Sequence, residues 1–271
     1  MSLKQALENF SYYFRHQPFR TATKSSLAEI GVSVGKQLDS LFSERGTPIY
    51  DREWDLLIVL DTCRVDALAA VADEYEFLPE LIPQDRSVGS KTREWMTNNF
   101  TEEFSEKIQD TAYITFNGHS EYLLNTDDFA YLGEVWRDYW DVQLGGVPPR
   151  PITEYTIKAG RCYDPNYLIA HYKQPHQPYT RLKGFNPTNR NDNKANDRSG
   201  VFGALIEGRF TRREIWKAYL DELRWALDEV NVLLDNVDAD RVAITADHGE
   251  CFGEWGIYGH DGCKFVPQLV Q

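Results

Sequence analysis

The 271-residue chain is long enough to bury one sizeable α/β core or two small ones. Hydrophobic residues at 42% and charged residues at 26% exclude a disordered chain, and a formal net charge of −13 argues against a nucleic-acid-binding surface. No apolar run is long enough to cross a bilayer, and Met1 to Arg20 lacks the apolar stretch of a secretory leader, so a cytoplasmic location is the expectation. Cys63, Cys162, Cys251 and Cys263 show no metal-knuckle or disulfide spacing and are expected to be thiols.

In chain order, Ser26–Phe42 places Leu27, Ile30, Val34, Leu38 and Leu41 at helical spacing, which predicts an amphipathic helix within an N-terminal segment, residues 1–50. Residues 51–271 are expected to form an α/β domain. Its first element is the apolar run Leu56-Leu-Ile-Val-Leu60, which ends on Asp61 and suits a strand buried on both faces. Arg64–Asp73 reads as a helix, Thr111–Phe116 as a second strand, and Val147-Pro-Pro-Arg-Pro151 as a stiff connection. Tyr167–Tyr172 is a third strand, and the polar stretch Asn186–Ser199 is a loop. Thr211 and Glu214 form a capping-box signature ahead of a long helix with an apolar face from Ile215 to Leu234. Arg241–Ala246 is a fourth strand, ending on Asp247-His248-Gly249. Strands alternating with helices predict a mostly parallel central sheet with helices on both faces.

Ligands of open α/β sheets bind outside the carboxyl ends of the strands. Here those ends carry Asp61 and the Asp247-His248 pair, and the third strand runs on to His176. Asp-His side by side supplies two metal-ligand types, and the glycine after them permits a sharp turn. Pro175 and Pro178 hold the chain extended around His176. Each feature has a plainer explanation: an aspartate that caps a helix, a tight turn, or a histidine on a surface loop.

Taken together, Ile58-Val-Leu-Asp61, His176-Gln-Pro-Tyr179 and Ala246-Asp-His-Gly-Glu250, followed by Gly259-His260-Asp-Gly262 and Val266-Pro267, resemble the sulfatase-like branch of the alkaline phosphatase superfamily. The resemblance covers roughly residues 54–271. It implies that fold, without the small C-terminal subdomain of long sulfatases, and metal-assisted attack by an enzyme nucleophile on phosphorus or sulfur. Ser87-Val-Gly-Ser90-Lys-Thr92 is similar to the nucleophile segment of transferases that move phosphoglycerol or phosphoethanolamine. Thr92 is therefore the expected nucleophile and Ser90 the runner-up; helix capping is the structural alternative for both.

The implied metal ligands are Asp61, Thr92, Asp247 and His248, holding one divalent ion. Mn²⁺, Mg²⁺ or Zn²⁺ suits this mixed set, and Ca²⁺ suits it less. No aspartate stands four residues before any histidine, so the second site of two-metal members is not expected. His176 and His260 would bind substrate oxygens, and His176 would also protonate the leaving group. Arg64 and Lys91 are basic candidates for substrate binding. The substrate class is a small-molecule, glycan-linked or lipid-linked phosphate or sulfate ester. No formylglycine signature surrounds Cys63 or Thr92, which favours a phosphate ester; a sulfatase and a catalytically silent binding module are the alternatives.

Overall fold

The computed structural model describes residues 46–142, 144–185, 200–260 and 266–270. The expected helix over 26–42, the loop over 186–199, and Asp261, Gly262 and Cys263 lie outside these residues.

Five parallel strands form the central sheet: β1 (Leu56–Leu60), β2 (Thr111–Thr115), β3 (Tyr131–Glu134), β4 (Tyr167–Tyr172) and β5 (Val242–Thr245), in the order β3-β2-β4-β1-β5. The apolar run of β1 is buried at every position because its alternate residues enter two different cores. Leu56, Ile58 and Leu60 pack on one face with Ala112, Ile114, Leu168 and Ala170. Leu57 and Val59 pack on the other with Tyr113 and Ile169.

Four helices matter for the site: α1 (Val65–Ala69), α2 (Thr92–Asn99), α3 (Pro149–Tyr163) and α4 (Arg212–Leu234). The first core also takes Ala67 and Leu68 of α1, Ile152 and Ala159 of α3, and Ile215, Tyr219, Leu223, Leu227, Val230 and Leu233 of α4. The second takes Trp95 and Met96 of α2, together with Ile49, Tyr50 and Trp54. Helices thus cover both faces, as expected of a parallel sheet. Ile49 and Tyr50 are buried in this second core, so residues 46–50 pack with the α/β body.

The capping box of α4 forms as expected: the Thr211 hydroxyl accepts the Glu214 N–H, and the Glu214 carboxylate accepts the Thr211 N–H at 2.8 Å. Arg64–Asp73 is shorter as a helix than expected, with α1 followed by a single 3-10 turn at Ala72–Glu74.

The proline-rich stretch corrects the expectation of a connection. Pro148 is the N-cap of α3, and Pro149 and Pro151 lie in its first turn. The first-turn N–H groups of a helix have no intrahelical partner, so proline loses nothing there, and its fixed φ favours the helix. β3 is another unexpected element. Its Tyr-Leu-Gly-Glu sequence is short and carries no continuous apolar run.

Cys63 and Cys251 are buried and Cys162 is exposed, none of them in a disulfide. No helix among the described residues is long and apolar enough to cross a membrane.

Candidate metal centre

The chain leaves β1 toward β2 on one side of the sheet and leaves β4 toward β5 on the other. Beyond the carboxyl ends of these adjacent strands lies the crevice where doubly wound sheets bind ligands. Asp61 directly follows β1, and Asp247 follows β5 on the strand next to it.

Asp61 is aimed by an unusual turn. Thr62 adopts a left-handed φ of 65°, which is costly for a β-branched residue. The turn is held from three sides. The Asp61 N–H donates to the Tyr172 carbonyl, the Thr62 N–H donates to Asp247 Oδ1 at 3.1 Å, and the Tyr219 hydroxyl of α4 donates to the Thr62 carbonyl at 2.7 Å. Asp247 Oδ1 also accepts the His248 N–H at 2.8 Å. One oxygen of Asp247 is thereby used to fix the loop, leaving Oδ2 for another partner.

Asp61 Oδ1 and Asp247 Oδ2 are both buried, and neither accepts a hydrogen bond from the described residues. His248 Nε2 lies 3.5 Å from each of them. Its Nδ1–H donates to the Gly249 carbonyl at 2.9 Å, which fixes the tautomer with the Nε2 lone pair toward the two carboxylates. Thr92, the first residue of α2, places its hydroxyl 3.4 Å from the same Nε2. Ligand atoms from Asp61, Asp247 and His248 all lie within 4.8 Å of one another. Buried acceptors converging without a donor are strongly unfavourable unless a cation joins them. Two carboxylate oxygens, an imidazole nitrogen and a hydroxyl are a donor set that fits Mn²⁺, Mg²⁺ or Zn²⁺.

The electrostatics follow from this crowding. Burial, then the neighbouring charge of Asp247, pushes the Asp61 carboxyl well above its ordinary range. Burial also pushes Asp247 up, but the neighbouring His248 ring and polar contacts with His171 and Thr92 outweigh it and hold Asp247 below the usual carboxylate range. Burial lowers His248, against the attraction of Asp247.

Ser90 is occupied differently from Thr92. Its N–H and hydroxyl both donate to the Glu94 carboxylate, at 3.1 and 3.2 Å. Lys91 is the half-buried N-cap residue of α2. Arg64 is buried, and four of its donor contacts go to Asp66, Glu254 and the Glu250 carbonyl. Its guanidinium also lies over Trp216 and Phe252. The structure therefore ties Arg64 to the loop after His248, where it acts as a strut.

Three imidazoles stand in a row beside the centre. His260 lies 4.7 Å from His248 and 5.1 Å from His176, between ring centroids. Glu250, fully buried, holds His260 Nδ1 at 3.0 Å. Burial, with Lys173 and His260 nearby, lowers His176 well below the usual imidazole value, so it is neutral near pH 7.

Two further residues were not expected as part of the centre. His171 on β4 is completely buried, with Nε2 3.7 Å from Asp247 Oδ2 and Nδ1 2.8 Å from the Tyr113 hydroxyl. Its signal was a lone histidine in an otherwise apolar buried strand. Tyr219 is the second; nothing in its spacing separates it from its apolar neighbours on α4.

Gly249 is explained by space rather than by a left-handed turn. A Cβ there would lie 2.0 Å from the Gln268 carbonyl oxygen, and the Gly249 N–H donates to the Leu269 carbonyl at 3.0 Å. The Asp-His-Gly loop is thus clamped against the segment 266–270. Comparison with protein-family models, curated proteins and solved structures gave no match for this chain.

Proposed function

We propose that this protein is a metal-dependent hydrolase or transferase of phosphate esters, with Thr92 as its nucleophile. The observation that carries this reading is the convergence of two buried carboxylate oxygens on His248 Nε2, which itself lies 3.4 Å from the hydroxyl of Thr92. The motif resemblance to the sulfatase-like branch of the alkaline phosphatase superfamily supports the same chemistry.

Asp61, Asp247 and His248 would hold the cation, with Thr92 as a fourth donor. A bound divalent ion supplies charge that lowers the hydroxyl's pKa and offsets charge on the substrate's non-bridging oxygens. The chain's own residues supply the remainder. The first turn of α2 presents Thr92 where N–H groups lack intrahelical partners, so a phosphoryl oxygen can be bound there. His248, with Nδ1 tied to Gly249, keeps its Nε2 on the Thr92 hydroxyl. His260 would bind a remaining oxygen, and His176, neutral with its Nδ1–H engaged by the Gln177 carbonyl, would offer Nε2 as a base to the attacking water or acceptor hydroxyl.

The test is a panel of aryl phosphate monoesters, phosphate diesters, phosphonates and sulfates, each with Mn²⁺, Mg²⁺ and Zn²⁺. Turnover of a phosphate ester that disappears with a chelator is the expected result. Sulfate cleavage much faster than any phosphate ester would replace this reading with a sulfatase. Cation binding without any turnover would replace it with a silent binding module.

A further inference from the structure

Lys173 follows β4 directly, and its side chain enters the molecule. Only 6% of it is exposed. Its ammonium donates to two backbone carbonyls of one loop, His176 at 3.0 Å and Gln177 at 2.7 Å. The Gln177 carbonyl has a second donor: His176 Nδ1–H reaches it at 2.5 Å. A single carbonyl oxygen therefore joins the buried ammonium to the imidazole ring. With Nδ1 protonated and engaged, Nε2 is the ring atom left for the row of histidines beside Thr92.

Space around Lys173 is shaped for this arrangement. A Cβ on Gly146 would lie 2.3 Å from Lys173 Cε and 2.4 Å from Cδ. Glu222 and Asp61 attract the ammonium and partly offset the burial that lowers it to about 8, so it keeps its proton near neutrality. Glu222 is a buried member of α4, and its carboxylate accepts the Thr180 N–H at 2.6 Å.

We infer that Lys173 is a positioning residue for His176, fixing its tautomer and ring direction through the Gln177 carbonyl. The role given to His176 in turnover rests on the phosphoesterase reading above, whereas the Lys173–Gln177–His176 link is independent of it. An ammonium donating to a carbonyl holds that carbonyl in one direction, here within reach of His176 Nδ1–H. The hydrogen bond made by one ring nitrogen then decides what the other can do. Lys173 touches no group expected to react.

The experiment compares wild type with Lys173→Met and Gly146→Ala in the full chain, labelled with ¹⁵N-histidine. The His176 signals are assigned by their loss in His176→Asn. Wild type should show neutral His176 protonated at Nδ1. Both variants should move His176 toward a mixture with the Nε2–H form, because one deletes the ammonium and the other displaces it. On whichever phosphate ester the wild type turns over, kcat should fall about 10- to 100-fold, with KM and cation content nearly unchanged. An unchanged His176 spectrum in both variants overturns the inference. Should Lys173→Met fail to fold, Gly146→Ala decides, since it retains the lysine. A wild type that cleaves no phosphate ester would defeat the functional reading alone, because the imidazole spectrum still reports on Lys173.

Discussion

Thr92 and Ser90 stand two residues apart, and their hydroxyls have different partners. Ser90 gives its hydroxyl hydrogen bond to Glu94, as a residue helping to open a helix does. Thr92 places its hydroxyl 3.4 Å from His248 Nε2, the atom that lies 3.5 Å from the Asp61 and Asp247 oxygens. Thr92→Ala should therefore lower kcat on the order of 10⁴-fold or more, if the threonine is the nucleophile. Thr92→Ser should retain part of the rate, because only a methyl group is lost. Ser90→Ala should change stability more than rate. Steady-state kinetics on the best phosphate ester, alongside thermal melts, reads all three. Normal turnover by Thr92→Ala would remove the threonine from the chemistry, and loss of turnover confined to Ser90→Ala would transfer the role.

At the scale of elements, the centre is held by groups far from it in sequence, with α4 as the common support. Tyr219 holds the left-handed Thr62 turn, and Glu222, one turn further on, accepts both the N–H and the hydroxyl of Thr180 beyond the His176 loop. Glu222→Ala should cost roughly 1–3 kcal/mol, because a part-buried N–H and hydroxyl lose their shared carboxylate acceptor. It should also reduce turnover, since the loop it anchors carries His176. Thr211→Ala at the exposed start of the same helix should cost about 1 kcal/mol through the lost cap and leave turnover unchanged. Denaturant melts and kinetics on the two variants separate anchoring from general helix stability; equal kinetic losses would refute the anchoring role of Glu222.

The same elements show what was legible in the sequence. β1 was readable because a strand buried on both faces leaves a continuous apolar run, and α4 because its cap and its 3.6-residue period agree. Asp61, Asp247 and His248 were readable because strand ends in a parallel sheet share one edge. The helix behind Pro148 was hidden because proline signals both turns and first helical turns. The support from Tyr219 and Lys173 depends on contacts between segments distant in the chain, which no local spacing encodes. Gly249 was noticed for the wrong reason: its missing Cβ admits the Gln268 carbonyl, a tertiary approach rather than a turn preference.

For the whole molecule, the unpartnered carboxylates make stability depend on cation and pH together. A ligand that binds only the folded state stabilises it by about 2.7 kcal/mol at a hundredfold excess over Kd. For a domain of this size, that corresponds to a rise of roughly 5–10 °C in Tm. The pH dependence has two limbs. The Asp61 carboxyl is pushed up by burial and by Asp247, so the folded state keeps a proton that the unfolded chain has already released. Its contribution is present at low pH and is lost as pH rises from the ordinary carboxylate range through the raised folded value. Asp247 is held below the ordinary range, so its contribution is present above that range and is lost as pH falls through the lowered value. The metal-free protein should thus lose stability as pH rises above the ordinary carboxylate range, while the gain from added Mn²⁺ or Zn²⁺ grows as Asp61 sheds its proton. Asp61→Asn should raise the Tm of the metal-free protein at neutral pH, by removing the repulsion, and should abolish most of the cation-dependent gain. Melts of both proteins across pH, with chelator or with added cation, measure each limb. An undiminished gain in Asp61→Asn would mean that the cation binds elsewhere, and the buried carboxylates would then need another explanation.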